Sequence, residues 1–155
     1  MLLNASDPLA TSLIRSIRAG DLPSLQSLLA ANPGLPKARI QQRSGSKTPL
    51  HVVTDWPGFF PNGPQIVKAL ISAGADLNGG AEGDKFSETP LHWAASNDDV
   101  EVAEALIVGG ADLELKGGSI AGGTALDNAI GYGCWRVARL LVERGARVEK
   151  LWHAA

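Results

Sequence analysis

Apolar residues recur along this chain at the spacing of short helices, and the pattern returns several times. Ile66, Val67, Leu70 and Ile71 form one apolar stripe, Val102, Ala103, Leu106 and Ile107 a second, and Val137, Ala138, Leu141 and Val142 a third. Positions three and four apart share one face of a helix, so each stripe predicts an amphipathic helix with one side facing a core. Upstream of the second stripe, Leu91 with the small residues Ala94 and Ala95 predicts a shorter helix that a neighbour can approach closely. Polar, glycine-rich stretches follow the stripes, over Asn78 to Glu88 and Glu114 to Gly123, and suit turns or hairpins.

Punctuation at the ends of these segments is periodic too. Thr48-Pro49-Leu50-His51 returns as Thr89-Pro90-Leu91-His92 and again as Thr124-Ala125-Leu126-Asp127, offsets of 41 and 35 positions. Threonine caps helix starts, and proline at the first helical position has no N–H to leave unpaired. Gly74-Ala75-Asp76, Gly110-Ala111-Asp112 and Gly145-Ala146-Arg147 recur 36 and 35 positions apart, where helix ends want a left-handed residue. Two markers in phase define a repeat of two antiparallel helices.

The Thr-Pro-Leu-His box, the Ala94-Ala95 pair and the closing Gly-Ala-Asp resemble the ankyrin repeat, with the fullest match over Glu88 to Glu114. The resemblance implies an all-α fold, an ankyrin-repeat solenoid of stacked helix–turn–helix units with β-hairpin finger loops. It organises residues 1–155 as one ankyrin-repeat domain: a degenerate N-terminal cap repeat at about 8–33, repeats at about 44–78, 85–114 and 120–148, and the clipped start of a further repeat at 149–155. The cap keeps Leu13, Gly20-Asp21 and Leu28-Leu29 but lacks the box proline and histidine, as a water-facing end unit would. At the far end, Leu151-Trp152-His153-Ala154-Ala155 is similar to Leu91-His92-Trp93-Ala94-Ala95.

Departures from the repeat carry the functional signal. Thr48 to Ile66 is 18 positions, whereas Thr89 to Val102 and Thr124 to Val137 are each 13, so five residues are inserted within Asp55 to Pro64. That loop holds Trp56, Phe59 and Phe60 among three prolines. It either covers a neighbouring helix or offers stiffened aromatics to a partner. The family resemblance implies contact through the concave side, meaning finger tips and the outer ends of first helices. Those positions are Ser44, Lys47, Lys85, Phe86, Glu88, Ile120 and Ala121 on fingers, and Asp55, Trp56, Ser96, Asn97, Gly131 and Tyr132 on helices. Trp93 either lines this groove or packs between repeats, with packing favoured, and Trp135 is expected in the core. A basic finger over Pro36 to Lys47, with Lys37, Arg39, Arg43 and Lys47, either meets an acidic partner or a phosphate or is a solvated loop, with the solvated loop favoured.

Composition adds limits. At 45% hydrophobic and 19% charged residues, the chain can build a core and is not disordered. A net charge of −2 points to neither a nucleic-acid nor a membrane partner. There is no apolar run of about 18 residues for a membrane span, and Met1-Leu2-Leu3 starts no signal peptide. The lone Cys134 excludes an internal disulfide and fits a cytoplasmic protein. The resemblance implies that His51 and His92 are structural. Asp55, four residues after His51, could join it around a metal or small molecule, but no third ligand is placed by sequence. A thiol at a helix start, as at Cys134, can be activated, yet no box histidine accompanies it. The acids Asp98, Asp99 and Glu101 read as helix caps and lack calcium-loop spacing. The expectation is a monomeric, non-enzymatic protein-binding module without cofactor. Its rivals are a structural fragment of a longer repeat protein with its site downstream, and a small-molecule or metal site near His51 and Asp55.

Overall fold

Side chains that accept hydrogen bonds from free backbone N–H groups set where the helices begin. Asp7 accepts from Leu9 N at 2.8 Å before α1 (Pro8–Ala19), and Asp21 from Ser24 N at 3.0 Å before α2 (Leu22–Ala31). Thr48, Thr89 and Thr124 stand just ahead of α3 (Pro49–Val53), α5 (Pro90–Ser96) and α7 (Ala125–Gly131). Each of these is followed by a second helix: α4 (Gly63–Ser72), α6 (Val100–Val108) and α8 (Trp135–Glu143). The structure is a computed structural model that describes residues 1–43, 45–83 and 85–153. The candidate finger position Ser44, and Ala154 and Ala155 of the expected clipped unit, lie outside the described residues.

The three second helices end alike. Gly74, Gly110 and Gly145 take φ of 98°, 102° and 100°, backbone that a side chain disfavours. The next N–H then reaches back at 2.9–3.0 Å: Ala75 to Leu70 O, Ala111 to Leu106 O and Ala146 to Leu141 O. These bonds satisfy carbonyls that a helix end leaves free.

First helices α1, α3, α5 and α7 pack side by side in one row, and α2, α4, α6 and α8 in another, with each pair also in contact across the rows. One apolar core runs the length of the seam, where Leu50, Leu70, Leu91, Leu106, Leu126 and Leu141 are buried. Each such leucine contributes roughly 1.5–3 kcal/mol of burial.

A small sheet stands beside the helices. β2 (Arg39–Gln42) pairs antiparallel with β3 (Gly45–Lys47), and β1 (Leu2–Asn4) adds parallel to β2, with Leu3 opposite Ile40. Helix alone therefore does not describe this chain, and the fingers are unequal. Among the described residues, the second finger contributes one bridge, Ser46 to Glu82. The third is closed by Gly117 N to Gly122 O and Gly118 N to Gly123 O, at 3.1 and 2.9 Å.

Trp135, expected in the core, is instead 60% exposed. The buried face of α8 is set by Val137, Ala138 and Leu141, and Trp135 sits two residues before Val137, about 200° around the helix. At the C-terminal side, Leu151–His153 form one 3-10 turn against α7. Lys150 Nζ and His153 Nε2 donate to Asp127 Oδ1 at 2.6 and 3.0 Å. Burial alone would raise the Asp127 pKa, but the hydrogen bonds from Lys150, His153 and Thr124 outweigh it and hold the carboxyl well below the usual carboxylate range.

Candidate functional site

The inserted loop between α3 and α4 is tied down on both sides. Asp55 Oδ2 accepts from Lys47 Nζ at 2.7 Å and from Arg18 NH2 at 2.9 Å, which joins the loop to the first finger and to α1. Phe59 N donates to Asp99 Oδ2 at 2.8 Å, Asn62 Nδ2 to Gly20 O at 2.9 Å, and Asn97 Nδ2 to Thr54 O at 2.8 Å. Despite these anchors the Trp56 indole is 80% exposed. A held backbone carrying a free indole loses little entropy when that indole is buried by something else.

Beside Trp56 lies a groove of about 430 Å³ along the first-helix row, lined by Thr54, Asp55, Trp56, Glu88, Trp93, Ser96, Asn97, Ser119 and Tyr132. Three aromatic side chains line it, and the lining residue Glu88 is hydrogen-bonded on both carboxylate oxygens. Glu88 Oε2 accepts from Trp93 Nε1 at 3.1 Å, while Oε1 accepts from Ser119 N at 2.9 Å and Asn128 Nδ2 at 2.7 Å. Ser119 Oγ and Tyr132 OH meet at 3.1 Å. The groove brings together Trp56, Glu88, Ser96, Asn97 and Tyr132 from three successive units.

Other expected contact residues lie elsewhere. Lys47 is buried, its ammonium on Asp55 and 5.9 Å from the Trp93 ring centre, so it supports the groove from beneath. Phe59 and Phe60 are on the loop's other side, along a cleft with Asp99, Glu101 and Val102; Phe59 is exposed, and Phe60 is half-buried with Arg18 above its ring. Lys85 and Phe86 pack on each other at 5.7 Å, outside the groove lining. Ile120 is half-buried near Gly131, its N–H donating to Asn128 Oδ1 at 3.2 Å. Thr54 and Ser119 line the groove although nothing in their local sequence marks them. Trp93 does both things considered for it: it lines the groove and meets the His51 ring edge-on at 4.8 Å.

Catalytic groups are engaged within the fold. His51 Nδ1 lies 2.8 Å from Thr48 Oγ1 and its Nε2 2.8 Å from Glu88 O; burial pushes its pKa down to about 4. His92 repeats this with Thr89 and Gly123 O, its pKa lowered by burial. With both His51 nitrogens occupied and Asp55 holding two cations, neither is positioned to hold a metal. Burial raises the Cys134 thiol, the reverse of an activated nucleophile; the Asp98 charge adds to this and a hydrogen bond from the Asp98 backbone partly opposes it. Asp98 accepts from Val137 N and Asp99 from Val102 N, at 2.9 and 3.3 Å. Arg39 of the basic finger bonds to Ser46, Gly80 O and Glu82. No helix among the described residues is long and apolar enough to cross a membrane.

Two packed rows of short helices, pair stacked on pair, define a helical repeat stack. A family model described as ankyrin repeats (3 copies) matches residues 60–151. The chain belongs to the ankyrin-repeat family, whose repeats are in general protein–protein interaction modules. It is 30% identical over 117 residues, 76% of its length, to BRCA1-associated RING domain protein 1 of Caenorhabditis elegans. It is 31% identical over 107 residues, 66% of its length, to the B-cell lymphoma 3 protein homolog of Mus musculus. With Ankyrin repeat and SOCS box protein 11 of Mus musculus the identity is 30% over 135 residues, 87% of the chain. The matches span 15%, 22% and 37% of those relatives' own lengths.

Proposed function

We propose that this chain is a non-enzymatic protein-binding module of a reducing compartment, and that its groove holds a segment of a partner protein. The observation that carries the reading is Trp56: a large aromatic, 80% exposed, on a loop hydrogen-bonded to the units before and after it. Tryptophan is enriched among the few residues that dominate interface energies, and a pre-organised backbone lowers the cost of burying it. Tyr132, 53% exposed, supplies a second anchor across the groove. A complex built around it would bury on the order of 1,200–2,000 Å² in total.

The relatives' greater lengths favour a second role alongside this one, in which the repeats hold a functional segment of a longer chain in place. The test is photo-crosslinking in native extract, with a benzophenone amino acid at Tyr132 and, as control, at Trp135 on α8. A discrete partner captured from position 132 but not 135, and lost on Trp56→Ala, supports the groove. Equal capture from both positions, or none, overturns it.

A further inference from the structure

We propose that the residue this groove is built to seat is an arginine, carried on an extended segment of the partner. The inference rests on the groove being a protein-binding surface and names the chemistry of its occupant. Most donors in the lining already point into the fold. Trp93 Nε1 donates to Glu88, Ser96 Oγ donates to His92 O at 2.9 Å, and an Asn97 Nδ2 hydrogen goes to Thr54 O. Ser119 Oγ and Tyr132 OH bond to each other, which uses one of their two O–H hydrogens. Acceptors are in surplus. Among the described residues Asn97 Oδ1 accepts no bond, and Asp55 Oδ1 accepts only from the adjacent Trp56 N–H at 3.1 Å.

Charge points the same way. Asp55 is balanced by Lys47 and Arg18, but Glu88 receives only neutral donors, from Trp93, Ser119 and Asn128. Among the described residues no lysine or arginine pairs with it, so the groove lining holds a carboxylate with no cation of its own. Trp56 and Tyr132, both exposed aromatics, line the same groove. The Lys47 ammonium 5.9 Å from the Trp93 ring is an internal instance of the same pairing of cation with indole. A ligand matching this lining brings donors without acceptors, a positive charge and a flat face. Guanidinium has all of these, whereas ammonium lacks the flat face and the fork of donors. The groove volume exceeds one side chain, which leaves room for flanking backbone.

The test uses the chain labelled with nitrogen-15 and three short peptides, acetyl-Gly-X-Gly-amide, with X as arginine, lysine or citrulline. Citrulline keeps the arginine shape and loses the charge. At peptide concentrations of about 1–10 mM, the arginine peptide should shift the Trp56 indole and Asn97 side-chain amide signals, with citrulline about tenfold weaker. Trp56→Ala and Glu88→Gln should each weaken arginine binding, and Trp135→Ala should not. Because Glu88 also braces the fold, Trp56→Ala is the decisive variant. Lysine or citrulline binding as well as arginine, or no groove signal moving, overturns the inference. A partner still crosslinking at Tyr132 in that case would leave the binding role standing and remove only the arginine.

Discussion

His51 Nε2 donates to the Glu88 backbone carbonyl at 2.8 Å, joining α3 of one unit to the finger of the next. The other ring nitrogen takes the Thr48 N–H at 3.3 Å, so the neutral tautomer with hydrogen on Nε2 is the one that fits. Glu88 then extends its side chain one unit further, to Ser119 N and Asn128 Nδ2. One residue thus bonds to three successive units. It also lines the groove, so the seam that stabilises the stack and the surface proposed to meet a partner share Glu88.

The buried imidazoles make stability depend on pH. Burial lowers the His51 pKa from 6.5 to about 4; its bond to Glu88 O opposes this, and Arg39 and Lys47 reinforce it. His92 is lowered in the same sense. As pH falls below 6.5 the unfolded chain binds protons that the folded chain refuses, so stability declines until the folded ring itself protonates near pH 4. The loss from His51 is on the order of 3 kcal/mol at the acid end of that window. Thermal midpoints followed by circular dichroism should fall steadily from about pH 7 to about pH 5. His51→Gln should melt lower at neutral pH and show a shallower slope. An unchanged slope would assign the effect to another group.

Lys47 on the first finger pairs with Asp55 on the loop, their side chains 6% and 23% exposed. Asp55→Ala leaves the ammonium buried beside Trp93 without its counter-charge, at a cost of about 3 kcal/mol. Arg18 touches the same carboxylate but is 48% exposed, so Arg18→Ala should cost less than about 1 kcal/mol. Urea denaturation of the two variants checks the difference. The double variant Lys47→Met with Asp55→Leu should recover much of the Asp55→Ala loss, because the charge left unpaired is then Arg18, which is half exposed to water.

Local signals were legible along the chain and long-range ones were not. Thr48, Thr89 and Thr124 stand at helix starts, and Gly74, Gly110 and Gly145 at helix ends, because capping chemistry acts within a few residues. The extra length of the Asp55–Pro64 loop was visible as spacing alone. Whether Trp56 stays free depends on Arg18, Gly20 and Asp99, residues 37 to 42 positions from their bonding partners in the loop, which no local pattern reports. Lys47 looked like a finger tip because the carboxylate that pairs with it lies eight positions on, past the end of α3. The N-terminal strand Leu2–Asn4 escaped notice for the same reason, since its partner is Arg39–Gln42. Trp135 misled through residue type: an apolar side chain says nothing about which face of α8 it occupies.

Asp99 offers a way to separate the loop's posture from its contacts. Its carboxylate is buried, with one oxygen accepting from Val102 N at 3.3 Å as the cap of α6 and the other from Phe59 N at 2.8 Å. Phe59 sits at φ of 57°, a left-handed backbone that a bulky residue disfavours and that the Asp99 bond helps to hold. Asp99→Ala removes both bonds and should cost at least about 1 kcal/mol of stability from the lost cap. Asp99→Ser supplies a single oxygen, enough to cap α6 but too short to hold Phe59 as well. Serine should therefore restore most of the melting temperature while leaving the loop loose. Hydrogen exchange over residues 55–62 should then quicken in both variants, and partner capture from Tyr132 should weaken in both, although no contacting side chain has changed. If the serine variant exchanges as slowly as the parent, Asp99 is only a helix cap and Trp56 is positioned by its other anchors, Arg18 and Gly20.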